Sequence, residues 1–425
     1  MANVQGQCSL QGRYDSYASW IISGIIVRIG QKMGYHRDGE AIDLSPFETE
    51  MRRRIWWHIV VRDSIHAAAS RLTPSPLPAN WDTKEPQNLN DSDLFPNATE
   101  PPLPREGPTE MAFCLLNHRV YKLTSESYMD MDKVQALGAA VLGQTPDGKN
   151  TANEIQSTFT KFRDSAAAMD RALQDLEMRY IDPKAGNAHV AALSLRSMLT
   201  RSLFPMLTPI QEQPEWGSEI FTPEDNVFKI LVTSYEHVCD AYQKMLETRF
   251  EWWMSLHFHL DSLTAFTGQL CQRPTGSLSD RGWKVIEKMY QQYPELLDIT
   301  QKQHRVQARY ALKAWEAREG ALIQAGQIVE RPVFIGQLQA ALFASDSQPS
   351  RPSALTTAPP SARRPSQQTT ESDPLLGEYD SPDMTWSTWG GFSTDNSGQL
   401  SDALLESYLL QGDMSQGNVN TQESQ

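Results

Sequence analysis

From position 152 to 345, apolar residues recur at three- and four-residue spacing in one long stretch after another, with no convincing alternating run among them. That period belongs to helices rather than strands, so the body of the chain is expected to be all-α. The same spacing appears earlier. Ala18, Ile21, Ile22, Ile25, Ile29 and Met33 form one wide apolar face over 14–35, broadened by Ile26 and Val27, which predicts a largely buried helix. Gly34 follows it, where a left-handed residue costs least. Ser45, Pro46 and Glu48 supply an N-cap, a first-turn proline and an S-x-x-E capping box for a second helix over 45–70. Nine prolines between 74 and 108 then deny a regular element to the segment 72–110. Further helices are expected at 110–126, 152–180, 188–207, 223–250, 251–271, 279–292 and 296–345, the last broken near Gly320 or Pro332. A glycine-containing stretch at 137–150 reads as a loop, and no repeat of fixed period is visible.

Composition narrows the function classes. Hydrophobic residues make up 40% of the 425, enough for a sizeable core. No apolar run reaches the roughly 20 residues of a membrane helix, since Ile21–Val27 is cut at Arg28, and no signal-peptide pattern opens the chain. Cys8, Cys114, Cys239 and Cys271 are spaced neither as a metal knuckle nor as a disulfide framework, which points to a reducing compartment. The net charge is −14, and a chain so acidic is a poor duplex binder by itself.

The charge is also uneven. From 346 to the end there are eleven Asp and Glu against three Arg. Residues 346–370 have the Ser/Thr/Pro/Gln composition of a linker, and 371–413 mix acids with Tyr379, Trp386, Trp389, Phe392, Leu404, Leu405, Tyr408 and Leu409. The expected division is a helical domain over 1–345 and an acidic tail over 346–425, disordered when alone. Such a tail has two readings: a solvating terminus, or an interaction segment of the transcriptional-activation kind in which acids keep aromatics and leucines exposed until a partner takes them. Leu400, Leu404 and Tyr408, at four-residue spacing, predict a short helix that folds on a partner.

Several motifs carry less than they promise. His36-Arg37-Asp38 has the look of a kinase catalytic loop, but the Asn required five residues after the Asp is Asp43, and no glycine-rich nucleotide loop accompanies it. The tripeptide reads instead as a turn between two helices, with cations at a helix C-terminus. Arg52, Arg53 and Arg54 diverge by about 100° each, so ion pairs with Glu48 and Glu50 are expected rather than a phosphate surface. Trp56 and Trp57 read as packing residues, and Asp63 as a buried partner of one of the arginines. His257 and His259, with Cys271, diverge on a helix and make no metal site. No catalytic, cofactor-binding or metal-ligating residue is predicted.

Three ordered blocks, ASWIISGIIVRIGQKMGYHRD, SPFETEMRRRIWWHIVVRD and NLNDSDLFP, resemble the fungal-specific transcription factor domain, the middle homology region of binuclear zinc-cluster regulators. The matching positions are Gly34, His36, Arg37, Asp38, Glu50, Arg52, Arg53, Arg54, Trp56, Trp57 and Asp63, with Asn90, Asp91, Asp93 and Leu94. The resemblance implies a nuclear regulator of transcription serving a pathway gene cluster. It implies co-regulators or transcription machinery recruited by the tail, homo- or heterodimers, and no membrane. Two features depart from the family. Its usual G-R-P turn is Ser70-Arg71-Leu72 here, and its six-cysteine DNA reader has no counterpart, so no zinc is expected in this chain. The expectation is a truncated gene product or a regulator without its own reader, reaching DNA through a partner or a missing N-terminal domain. Two rival readings are a zinc-less partner that titrates full-length regulators and a helical small-molecule sensor.

Overall fold

Thr222-Pro223-Glu224-Asp225 opens the helix around which most of the body is assembled. Thr222 Oγ1 accepts the Asp225 amide at 3.2 Å while Asp225 Oδ2 accepts the Thr222 amide at 3.1 Å, a complete capping box with proline in the first turn. The helix that follows, Pro223–Thr248, contributes to three apolar clusters. Phe228, Leu231, Val232 and Cys239 enter one, Ala241 and Met245 a second, and Ile230 a third.

The computed structural model describes residues 16–69, 80–127, 131–141, 152–208, 212, 219–258 and 260–346. Among the described residues there are twelve α-helices and no strand: α1 Ser16–Lys32, α2 Pro46–Ala69, α3 Ala112–Ser127, α4 Met131–Val141, α5 Ala152–Tyr180, α6 Asn187–Met206, α7 Pro223–Thr248, α8 Glu251–Leu256, α9 Leu260–Gln272, α10 Ser277–Gln292, α11 Lys302–Gln324 and α12 Val333–Asp346. The architecture is all-α. One cluster joins α7 to α9, α10, α11 and α12; another joins it to α3, α5, α6 and α8. A fourth cluster, separate from these, holds α1 and α2 together around Ile26, Val27, Trp56, Ile59 and Val60.

Three expectations need correction. Part of the stretch read as a loop at 137–150 belongs to α4, because Leu137, Ala140 and Val141 are buried against Phe159, Phe162, Met206 and Leu207. The helix expected over 251–271 is two, α8 and α9, broken after Leu256. The largely buried face of α1 is not the isoleucine stripe: Ile21, Ile25, Ile29 and Met33 are exposed, and the seam with α2 runs along Ser23, Ile26, Val27 and Gly30. Gly30 sets how closely the two helices approach. A Cβ there would stand 3.1 Å from Ile59 Cδ1 and 3.3 Å from a Trp56 ring carbon.

Candidate functional site: a buried charged clasp

A network of linked ion pairs lies where the turn after α1, the first half of α2 and the loop 80–110 meet. It begins at Gly34, whose left-handed backbone (φ 77°) ends α1. The next residues run to Asp38, which caps the short 3-10 turn Gly39–Ile42 by accepting the Glu40 amide. α2 starts at Pro46. Ser45 Oγ accepts the Glu48 amide at 3.3 Å, and the Glu48 carboxylate lies 3.4 Å from that hydroxyl.

Asp38 and Arg53, each with a side chain only 4% exposed, form the centre. Arg53 Nε donates to Asp38 Oδ2 at 2.8 Å and Nη2 to Oδ1 at 2.7 Å, the planar two-point pairing that a guanidinium favours. The Lys84 amide donates to Oδ2 at 2.8 Å. Burial pushes the Asp38 carboxyl up, but the Arg53 guanidinium and the backbone amides outweigh it and hold the group at about 2. Arg53 Nη2 also reaches Glu40 at 2.7 Å, and Lys84 Nζ closes on the other Glu40 oxygen at 2.5 Å. Lys84 and then Arg53 hold the Glu40 carboxyl below its usual value.

The next residue, Arg54, pairs within α2 with Glu50 and outside it with the loop. Arg54 Nε donates to Glu50 Oε1 at 3.1 Å, Nη1 to Asp91 at 2.6 Å and Nη2 to the Leu89 carbonyl at 3.1 Å. The Gln87 amide donates to Glu50. Here burial prevails and the Glu50 carboxyl is raised. Arg52 turns the other way, donating to the Met33 carbonyl at 3.2 Å and lying over the Tyr35 ring.

The tryptophans lock the loop to the helix. Trp57 Nε1 donates to the Lys84 carbonyl at 2.9 Å, and its ring meets Trp81 and Tyr121 edge-on and His118 at 5.5 Å. Trp56 is fully buried, between His36 and Trp81. Burial drives His118 down to about 3 and His66 to about 4, so both are neutral at physiological pH.

The structure therefore brings Asp38, Arg53, Arg54, Trp56 and Trp57 into one contiguous site. Arg37 lies at its rim, paired with Asp82 at 3.0 Å. Asp63 does not join the arginines as expected. It sits about 14 Å further along the helix from Arg54 and accepts the Ser23 hydroxyl at 2.6 Å. Sequence reasoning missed the other half of the clasp, namely Glu40, Thr83, Lys84 and Gln87. The available signal was a short run, Trp81-Asp82-Thr83-Lys84, that is too rich in charge and ring to be a bare linker. Asp38 and Arg53 at the centre are paired with each other and covered. Among the described residues no group of three or more His, Cys, Asp or Glu is placed to hold a metal ion, and no helix is long and apolar enough to cross a membrane. His259, Ser70-Arg71-Leu72 and the tail residues Trp386, Trp389, Phe392, Leu404, Leu405, Tyr408 and Leu409 lie outside the described residues.

Helices joined by a buried ion-paired clasp make an all-α module. Residues 7–208 match the family described as the fungal specific transcription factor domain, so the chain carries that domain. It is 34% identical over 408 residues to the pyriculol/pyriculariol biosynthesis cluster transcription factor 1 of Pyricularia oryzae, covering 91% of this chain and 52% of that protein. It is 28% identical to the aurofusarin cluster transcription factor of Gibberella zeae, over 73% of this chain and 44% of that one. A 97-residue stretch is 42% identical to a Zn(2)-C6 fungal-type transcription factor of Monascus ruber, 23% of this chain and 12% of the relative. The chain spans about half the length of the first two of these relatives. No solved structure matches it.

Proposed function

We propose that this chain regulates transcription of a biosynthetic gene cluster in the nucleus, by binding other macromolecules rather than by catalysis. The observation that carries this reading is similarity along 91% of the chain to a protein titled as a biosynthesis cluster transcription factor. The clasp supports a mechanical part for the domain. Arg53 and Arg54 face carboxylates on the chain itself, and Arg52 a backbone carbonyl and a tyrosine ring, which argues against a phosphate-binding role. DNA is reached through a zinc-cluster partner or domain, and the acidic-aromatic tail recruits co-regulators or the transcription machinery. The test is deletion of the gene followed by RNA sequencing under producing conditions. The expected result is loss of transcripts from one contiguous set of biosynthetic genes. Unchanged transcripts across every such set would overturn the proposal.

A further inference from the structure

α1 has two apolar faces, and among the described residues only one is covered. Ser23, Ile26, Val27 and Gly30 are buried on the α2 side. On the opposite side Ile21, Ile25, Ile29 and Met33 are 56%, 47%, 42% and 51% exposed. With 100° per residue, Ile21, Ile25 and Ile29 fall within about 80° of arc, forming a ridge along the i, i+4 row. Arg28 and Lys32, both exposed, fall in or beside the same arc. α1 contains no Asp or Glu, and neither cation is ion-paired among the described residues. Among the described residues this face is therefore an exposed isoleucine ridge carrying two positive charges with no ion-pair partner.

That chemistry selects an occupant. A second copy of the same face would bring Arg28 and Lys32 against their own kind, with no acid on the helix to offset them. An acidic amphipathic segment suits it, and the chain contains one. In residues 400–410, LSDALLESYLL, Leu400, Leu404 and Tyr408 form an i, i+4 row, Leu405 and Leu409 widen it, and Asp402 and Glu406 lie at its edge. We propose that residues 400–410 dock as a helix on the Ile21–Ile25–Ile29 ridge, with Asp402 and Glu406 facing Arg28 and Lys32. Two i, i+4 rows interdigitate at the commonest helix-crossing geometry. A flexible chain as long as the 53 residues between Asp346, where the described residues end, and Leu400 spans about 40 Å. A body of this size has a radius of gyration of about 20 Å. The tether thus holds the segment near the ridge at an effective concentration on the order of millimolar. Docking occupies the same leucines that a co-regulator would take, so the ridge is a brake on the tail. The contact itself is independent of the activation role proposed above, and only its reading as a brake rests on that role.

The test uses the full chain with the photoreactive residue p-benzoylphenylalanine installed at Ile25, an exposed position. Irradiation followed by mass spectrometry is expected to give cross-links within one chain to 400–410. Leu404→Glu with Leu405→Glu should reduce their yield about tenfold or more. Arg28→Glu with Lys32→Glu should lower the yield, and adding Asp402→Lys with Glu406→Lys should restore it. Cross-links that join two chains, that fall elsewhere on the tail, or that are indifferent to both sets of variants would overturn the proposal. Transcript levels do not enter this readout, so it can fail while the functional reading stands.

Discussion

Asp38 and Arg37 are neighbours in one tripeptide and have very different energetic weight. Arg37 is half exposed, and its single bond to the equally exposed Asp82 competes with water. Arg37→Ala should cost about 0–1 kcal/mol. Asp38 is buried with Arg53, and its removal leaves a guanidinium without its main counter-charge in a covered site. Asp38→Ala should cost about 3–5 kcal/mol in urea unfolding, far more than its neighbour. The same carboxyl makes stability depend on pH. Its folded pKa, about 2, lies below the ordinary value of 3.8, so unfolding takes up a proton in acid. Its contribution is complete above about pH 4 and disappears as pH falls towards 2. The stability gap between wild type and Asp38→Ala should therefore be constant near neutrality and narrow across that interval by about 2 kcal/mol, and a gap that does not narrow would contradict the assignment. The sequence marked Asp38 and Arg53 as motif residues. It did not reveal that they bind each other, because a 15-residue separation across a turn has no periodic signature, and Lys84 lies 46 residues away from its acceptor.

At the scale of elements, α5 was readable to the residue, since 152–180 is one uninterrupted amphipathic run. α1 was readable as a helix but not in its orientation. Both of its faces are apolar, so periodicity selects the longer stripe. The structure buries the other one because the Asp63–Ser23 hydrogen bond and the notch at Gly30 fit α2 only on that side. Two glycines test this close packing from opposite directions. A Cβ on Gly39 would come within 2.8 Å of the Thr49 Cα, which is backbone and cannot rotate away. Gly39→Ala should cost about 1–3 kcal/mol by forcing the 3-10 turn off the start of α2. Gly24 lies within α1 with nothing in reach of an added methyl. Gly24→Ala should stabilise by about 0.5–1 kcal/mol through helix propensity alone. Denaturant midpoints of the two variants should move in opposite directions, and a loss of stability at both positions would mean that something covers Gly24.

At the scale of the molecule, the segment that resembles its relatives by motif is smaller than the unit that can bury its own core. The family match ends at residue 208, and the sharp blocks of sequence end near residue 96. Yet the cluster built on α5 and α6, with Met169, Leu173, Leu195 and Leu199, is completed by Ala241 and Met245 of α7 and by Trp253 and Met254 of α8. α6 and α7 pack extensively against each other, as do α9 and α11. Ile230 of α7 likewise closes the cluster around α4. A fragment ending at 208 would expose these faces to water, at about 25 cal/mol for each Å² left uncovered. The physical boundary proposed here is the end of α12, near the point where composition turns to linker. Residues 1–346 should be soluble and unfold in one transition, with tryptophan fluorescence and far-ultraviolet dichroism coincident. Residues 1–208 should bind a hydrophobic dye such as ANS and lose that coincidence. A well-folded, dye-silent 1–208 fragment would mean that α7 is an accessory to the domain and that the clasp, with α3 to α6, is sufficient to hold it together.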